Sequence, residues 1–166
     1  MIKPSDVRSR AETLEEKNNK FRTFLKNRAD PDELDKQFLD LHNELFTEYD
    51  CTLCRNCCKE YAAVLTEDEV ETIAEFLELD KDEFIKQYVE ESRDDSFELR
   101  SIPCCFLGAD NKCLIESCKP QNCIDYPFTN KPERLWSLFS VIDSTFVCPV
   151  VFELIERLKK TYRFRN

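Results

Sequence analysis

The stretch Cys51-Thr52-Leu53-Cys54-Arg55-Asn56-Cys57-Cys58 interrupts a helical sequence pattern and decides how the surrounding chain is interpreted. It holds four of the ten cysteines in eight consecutive positions, with the spacing C-x-x-C-x-x-C-C. The C-x-x-C unit recurs in metal-binding proteins because one tight turn can aim two thiolates at the same ion. Two such units share Cys54 here and offer three converging ligands. The stretch therefore predicts a metal site with thiolate ligands.

The types of side chain available limit which metals the site can bind. His42 is the only histidine, and we expect it on a helix surface or seam. An almost pure sulfur donor set suits zinc, an iron–sulfur cluster or Cu(I), and does not suit magnesium or calcium. The spacing also begins the bacterial ferredoxin pattern, so a 4Fe–4S cluster is the expected form if the metal is iron. Zinc and iron–sulfur stay open, since both bind deprotonated sulfur in near-tetrahedral arrangement.

The doublet and the remaining cysteines add alternatives. Neighbouring side chains diverge, so Cys57 and Cys58 are not both expected on one mononuclear ion. One of them could serve a second ion, bridge two ions or bind none. A single cysteine is often a small buried hydrophobic residue, but ten together in a reducing compartment favour metal ligands over disulfides. The other six are Cys104, Cys105, Cys113, Cys118, Cys123 and Cys148.

Composition and charge narrow the class of protein. The 166 residues fit one domain, or a domain with a helical arm. The 35% charged fraction and the single glycine favour a helix-rich chain. The formal net charge is −10, and residues 66–95 alone hold 13 acidic and 3 basic residues. This charge argues against nucleic-acid binding. We interpret the acidic run as solvated helix faces, or alternatively as a docking surface for a basic protein partner.

The sequence predicts no association with a membrane. No apolar run approaches the roughly 18 residues that span a bilayer. The first residues also lack the apolar centre of a secretory signal. We therefore expect a cytoplasmic protein, in which the cysteines are thiols or metal ligands.

Apolar spacing predicts the helices at the start of the chain. Residues 5–28 and 34–45 each carry a seam with helical spacing, which predicts a helical hairpin packed along its length. Asp30 and Pro31 mark the start of the second helix as cap and first residue. We assign residues 1–50 to this N-terminal hairpin, a scaffold or protein contact, and residues 51–166 to a cysteine-cluster domain. The seams consist of Val7, Ala11, Leu14, Asn18, Phe21 and Leu25, followed by Leu34, Phe38, Leu41 and Leu45.

The rest of the chain predicts a mixed pattern. Thr66 and Asp80 open two further helices, each with an acid three residues later. Residues 97–102 and 112–115 are expected to pair as strands around a turn at Gly108. Residues 135–142 fit a strand or a helix, and an amphipathic helix follows from Val150. The predicted fold class is α+β and predominantly helical, with a cysteine-rich metal core and a few short strands.

An ordered series of short elements resembles the CxxCxxCC cysteine-cluster family (YkgJ-type), whose members are described as zinc- or iron-chelating. The resemblance covers about residues 51–150 and leaves the hairpin outside. After the quartet, the matching elements are Ala62-Ala63-Val64-Leu65-Thr66-Glu67, Pro103-Cys104-Cys105-Phe106-Leu107, Cys113-Leu114-Ile115, Lys119-Pro120-Gln121-Asn122-Cys123-Ile124-Asp125-Tyr126-Pro127-Phe128 and Cys148-Pro149.

The resemblance implies eight metal ligands and leaves Cys105 and Cys118 as extra cysteines. The implied ligands are Cys51, Cys54, Cys57, Cys58, Cys104, Cys113, Cys123 and Cys148. The chain also departs from the family pattern. Arg55 stands where glycine is common, and we expect Asn56 to adopt the left-handed conformation of a tight loop. Glu116 replaces a tyrosine, and Lys119 and Ile124 each replace an arginine.

Three functions are compatible with such a centre. The first is a binding or structural module, in which the metal organises the turn-rich half of the chain. The second is an iron–sulfur redox protein or an accessory subunit of an enzyme such as a methyltransferase, since flagellin lysine methylases carry a similar cluster. The third is metal trafficking or sensing through exchangeable sites. The sequence shows no Gly-rich phosphate loop, available histidine base or nucleophile motif, which disfavours stand-alone catalysis.

Overall fold

The computed structural model describes residues 1–91 and 97–165, without the side chain of Glu91. Helices dominate this part of the chain. A short 3-10 helix, Pro4–Asp6, precedes the first α-helix, and another spans Glu116–Cys118. The α-helices are α1 (Val7–Arg28), α2 (Pro31–Thr47), α3 (Cys51–Cys54), α4 (Asn56–Glu60), α5 (Glu67–Phe76), α6 (Lys81–Tyr88), α7 (Gln121–Asp125), α8 (Arg134–Ser144) and α9 (Pro149–Thr161).

Three short strands form one antiparallel sheet. They are β1 (Val64–Leu65), β2 (Val89–Glu91) and β3 (Phe97–Leu99). The order is β1-β3-β2, so β3 lies in the centre and pairs with both neighbours. Leu65 lies opposite Phe97, and Val89 lies opposite Leu99. Many helices with one small antiparallel sheet confirm the predicted α+β, predominantly helical class.

The described chain divides into two compact units. The helical unit comprises residues 1–50 and 127–166, and the cysteine unit comprises residues 51–126. The sequence prediction had also placed a boundary at residue 50, but had assigned residues 127–166 to the cysteine domain. Among the described residues, no helix combines the length and apolarity needed to cross a membrane.

The helical unit consists of α1, α2, α8 and α9. Both predicted seams are real, since every seam residue is buried except Leu14 and Leu41, which are partly exposed. Their packing partners differ from the expectation. Both α1 and α2 pack mainly against α8 and α9, so the expected hairpin packed along its own length is not found. The apolar faces of α8 and α9 account for this packing, because they bury Leu138, Val141 and Ile142 on α8 and eight residues on α9.

Asn18 interrupts the apolar seam of α1, and its side chain belongs to a buried polar network. Lys159 of α9 is 4% exposed, and its Nζ donates hydrogen bonds to Asn18 Oδ1 and, at 2.6 Å, to Glu156 Oε1. Burial lowers the pKa of Lys159, against the opposing effect of Glu156. Asn18 also donates to Thr145 Oγ1 at 3.5 Å. A polar network among apolar seams fixes the register of the helices, because a shift would leave buried groups unpaired.

Local caps set the ends of the helices in this unit. Asp30 accepts a hydrogen bond from the Glu33 N–H at 3.0 Å, as the sequence predicts. Residues 135–142, which fit a strand or a helix, lie in α8. The start of α8 is capped from another helix, since Asp35 of α2 accepts from the N–H groups of Glu133 at 2.7 Å and Arg134 at 2.8 Å. A carboxylate at this helix end satisfies N–H groups that lack helical partners.

The cysteine unit is built on α5, α6 and the sheet. Thr66 forms the predicted capping box with Glu69, and Asp80 caps α6 through the Glu83 N–H at 2.9 Å. The core below them is apolar and includes an aromatic contact between Phe84 and Phe106 at 6.5 Å between ring centroids. Its buried residues are Ala63, Leu65, Val70, Ile73, Ala74, Phe84, Val89, Leu99, Phe106 and Ile115. The acidic run at 66–95 falls mainly on α5 and α6, and its residues 92–95 lie outside the described part of the chain.

The expected strand pairing needs a correction. The strand within residues 97–102, β3, pairs with β1 and β2 and does not pair with residues 112–115. Instead, the chain turns after Gly108, and Cys113 forms an isolated antiparallel β-bridge with Leu107. The Gly108 N–H donates to the Lys112 carbonyl at 2.8 Å. The sequence located the turn correctly, but β1 supplied a longer-range partner that local spacing does not reveal.

Candidate metal centre

The cysteine quartet lies on two short helices joined by one residue. α3 carries Cys51 and Cys54, and α4 carries Cys57 and Cys58. The residue between the helices is Arg55, with φ 53° and ψ 19° in the left-handed region. The expectation that Asn56 adopts this conformation was wrong, since Asn56 is the first residue of α4. A sharp change of direction at Arg55 therefore separates the two cysteine pairs.

Cysteines from separate segments pack against the same core in the cysteine unit. The Cys104 N–H donates to the Cys58 carbonyl at 2.8 Å, which joins the segment after β3 to the quartet. Cys113 lies at the Leu107 bridge, and Cys123 lies on α7. The side chains of Cys104, Cys113 and Cys123 pack against the apolar core and are partly exposed. Half-buried thiols at the edge of a core have restricted access to water.

The Cys58 thiol is shifted strongly towards its charged form. A hydrogen bond from the Cys57 thiol lowers the pKa of Cys58 to about 6, against the effect of burial. The positive charges of Arg55 and Lys119 lower it further, and Glu116 opposes them. A thiolate is the form of cysteine that binds metal. Cys58 is therefore prepared to act as a ligand near neutral pH.

Other thiols interact with the charge on Cys58. Burial raises the pKa of Cys123 to about 11, and the negative charges of Cys58 and Cys113 add to this effect. Burial also raises the pKa of Cys113. The pKa of Cys104 is raised first by its hydrogen bond to Cys105, then by burial and by nearby thiolate charge, including that of Cys58. Such mutual interactions place Cys58, Cys104, Cys113 and Cys123 in one electrostatic neighbourhood.

Thiols of adjacent cysteines form hydrogen bonds with each other. Cys57 donates to Cys58, and Cys104 donates to Cys105. The Cys104 bond is the largest of the effects that lower the pKa of Cys105 to about 7. Within residues 1–91 and 97–165, no three His, Cys, Asp or Glu side chains form a group that could hold a metal ion. Binding an ion would therefore require these thiol side chains to turn towards a common point and to exchange their hydrogen bonds for metal bonds.

The remaining predicted ligands have different settings. Cys51 is exposed and Cys54 is partly exposed, both on α3. Cys148 is 7% exposed and precedes α9 in the helical unit, apart in the chain from the other seven. His42 is half-buried in the helical unit, where its Nδ1 lies 2.8 Å from Thr129 Oγ1 and its ring contacts Phe46. It fits the expected helix-seam residue.

An ion-pair group that the sequence does not predict lies beside the thiols. Arg55 Nη2 lies 2.8 Å from Glu116 Oε2, and Lys119 Nζ lies 3.2 Å from Glu116 Oε1. Burial opposes the charge of Arg55, but the hydrogen bond to Glu116 and the negative charges of Glu116, Cys58 and Cys113 raise its pKa overall. All three residues had been noted separately as departures from the family pattern. In the sequence, only their opposite charges indicate that these residues could contact one another.

The donor set fits zinc or iron by its chemistry. Seven predicted ligands lie in one unit, all are sulfur, and all are free thiols. Soft sulfur ligands select zinc, Cu(I) or iron–sulfur clusters over hard cations. Positive charge from Arg55 and Lys119 lies close enough to Cys58 to offset part of the negative charge that several thiolates would carry.

Comparisons with known proteins agree with this chemistry. A search of curated proteins and a search of solved structures returned no match. A protein-family model matches residues 50–140, which is more than half of the chain, and its description is "Putative zinc- or iron-chelating domain". That match supports metal binding in general and includes all the predicted ligands except Cys148. Together with the thiol neighbourhood of the cysteine unit, it shows that the chain belongs to the CxxCxxCC family.

Proposed function

We propose that this protein binds zinc or iron through the cysteines of its cysteine unit, and that the bound metal serves chiefly to stabilise that unit. The proposed ligands are Cys51, Cys54, Cys57, Cys58, Cys104, Cys113 and Cys123, while Cys148 stays a prediction from the resemblance. The carrying observation is that Cys104, Cys113 and Cys123, from separate segments of the chain, pack against one core, where the Cys104 N–H donates to the Cys58 carbonyl at 2.8 Å.

The sparse regular structure of the cysteine unit supports a structural role. Its strands have two or three residues, and α3, α4 and α7 have four or five. Elements of this length bury little surface and are not stable alone. A structural zinc can contribute roughly 10–16 kcal/mol of apparent free energy, which is comparable to the stability of a whole domain, about 5–15 kcal/mol.

The residues of the chain prepare the site in two ways. Hydrogen bonding from Cys57 and the charges of Arg55 and Lys119 favour the thiolate at Cys58. The packing of Cys104, Cys113 and Cys123 against the apolar core limits the positions of their backbones. A bound ion would supply cross-links between these segments, and the thiols would release protons on binding it.

The first experiment is anaerobic purification with an absorption spectrum and elemental analysis for zinc, iron and sulfide. A colourless protein with one or two zinc ions per chain supports the structural module. A brown protein with equal iron and sulfide indicates an iron–sulfur cluster, and redox titration would then test electron transfer. A full-length chain that retains neither metal after reconstitution contradicts the proposal.

Paired cysteine variants test the ligand assignment. Cys123→Ser removes a proposed ligand, whereas Cys118→Ser removes an extra cysteine that packs against the same core. We expect Cys123→Ser to lower the metal content and Cys118→Ser to leave it unchanged. Equal metal content in both variants would exclude Cys123 as a ligand.

Two further predictions accompany this function. We expect the protein to work in the cytoplasm, where its ten free thiols would stay reduced. The acidic run at 66–95 and the N-terminal helices stay candidate contacts for a protein partner. Comparing co-purifying proteins with and without the charge-reversing changes Glu71→Lys and Glu75→Lys on α5 would test the acidic contact.

A further inference from the structure

Arg55 occupies a backbone conformation that its side chain does not favour. Its φ of 53° lies in the left-handed region, which glycine adopts freely and a long side chain adopts at a cost. Its neighbours α3 and α4 hold it there, and the Arg55 N–H donates to the Cys51 carbonyl at 3.2 Å. The turn alone does not explain an arginine, because glycine would make it with less strain.

The Arg55 side chain is also buried. Only 6% of it is exposed, whereas its partner Glu116 is 51% exposed. Arginine is rarely buried unless its donors are satisfied, because losing water around a charged group is costly. Glu116 takes one hydrogen bond from Nη2 at 2.8 Å. The buried Nε–H, in contrast, has no hydrogen-bond partner among the described residues.

Arg55 lies between Cys54 and the Cys57-Cys58 doublet in the chain, so cysteine sulfurs are the candidate acceptors for its unpaired donor. The charge of the guanidinium interacts with Cys58 and Cys113, two of the proposed ligands. A sulfur that carries negative charge is an acceptor for an arginine N–H. Groups of this kind around metal ligands orient them and tune the affinity of the site.

We propose that Arg55 is a positioning residue of the metal centre, whose buried Nε–H donates a hydrogen bond to a metal-bound cysteine sulfur and whose charge offsets that of the thiolates. The proposal rests on the proposed function, since it assigns a role at the same site. Glu116 accepts a hydrogen bond from Nη2 at 2.8 Å and leaves the buried Nε–H without a partner among the described residues. The strained turn is maintained because it delivers this donor between the two cysteine pairs.

The test uses Co²⁺ and Zn²⁺ with the full-length chain. Co²⁺ affinity is measured by competition with a chelator, and the sulfur-to-Co²⁺ absorption bands are recorded at fixed pH. Arg55→Gly removes the side chain and suits the left-handed turn. We expect its metal affinity to fall about tenfold or more, with a shift of the absorption bands, because a hydrogen bond changes the electron density on sulfur.

Two variants separate this role from a backbone effect. Glu78 also lies in the left-handed region, with φ 58°, but is exposed beyond α5, so Glu78→Gly is the matched control and should leave affinity and spectrum unchanged. Arg55→Lys keeps the charge without the Nε–H. It should recover only part of the affinity and keep the shifted bands. If Arg55→Gly does not fold, the metal affinity and absorption bands of Arg55→Lys are compared with those of the wild type instead.

The possible outcomes distinguish this inference from the proposed function. Wild type that binds neither Co²⁺ nor Zn²⁺ and also holds no iron overturns both. Wild type that binds the metal while Arg55→Gly shows equal affinity and identical bands overturns the role of Arg55 alone. Full recovery of affinity and bands by Arg55→Lys overturns the hydrogen bond to sulfur. A weakened, spectrally shifted Arg55→Gly beside an unchanged Glu78→Gly supports the inference.

Discussion

The helical unit packs four helices of 11 to 22 residues around an apolar core, whereas the longest helix among the described residues of the cysteine unit has 10 residues. In the helical unit, α9 alone buries eight residues. In the cysteine unit, partly exposed cysteines cover the edge of a smaller core. The difference indicates that apolar burial stabilises the helical unit, and it is the reason for proposing a metal cross-link in the cysteine unit.

Metal removal should have the largest effect and should separate the two units. We expect a strong chelator to unfold the cysteine unit, with a loss on the order of 10 kcal/mol of apparent stability. The helical unit should keep its protection, because its core is apolar. Hydrogen exchange read by mass spectrometry on peptides from both units checks this expectation. Unchanged protection in residues 51–126 after complete metal removal would show that both units are stabilised alike.

Truncating a core side chain should have the opposite result, a loss of stability in the helical unit with no loss of metal. Leu154 of α9 is fully buried in the helical unit. Leu154→Ala should cost about 2–5 kcal/mol through lost burial and the cavity left behind. Denaturant unfolding monitored by circular dichroism measures the change, and metal content should stay at the wild-type value.

The matched control for this truncation is Leu39→Ala. Leu39 lies on α2 and is 43% exposed. Its truncation should change stability much less. Equal losses from the two variants would mean that the apolar core is not the main support of the helical unit.

The cap on α8 should give a smaller effect confined to the helical unit. Asp35→Ala removes the acceptor for the N–H groups of Glu133 and Arg134. We expect a loss of about 1–2 kcal/mol, as for other helix caps. Asp40→Ala, an exposed change on the same helix, is the control and should be near neutral. Thermal unfolding of the three proteins side by side decides whether the carboxylate acts as this cap.

The smallest expected effect is the pH dependence from His42. Burial lowers its pKa below the ordinary value of 6.5, so the unfolded chain binds the proton more readily than the folded unit. The stability that neutral His42 provides should be present above pH 6.5 and lost as the pH falls below it. His42→Gln should reduce the difference in urea stability between pH 7.5 and pH 5.5. An identical difference in wild type and variant would assign the pH dependence to other groups.

Much of the local structure could be predicted from the sequence. The seams of α1 and α2, the caps at Asp30, Thr66 and Asp80, and the amphipathic last helix were all found as expected. These features depend on neighbours within one or two helical turns, which the sequence contains directly. The chemistry of the site was also accessible, since ten cysteines and one histidine specify a sulfur donor set.

The tertiary structure alone decided which elements meet. It paired α1 and α2 with α8 and α9, and it placed β3 between β1 and β2. It also put Arg55, rather than Asn56, in the left-handed turn and joined it to Glu116, 61 positions away. Such contacts depend on the competition among apolar faces and charges across the whole chain, whereas composition and spacing record only which side chains are available.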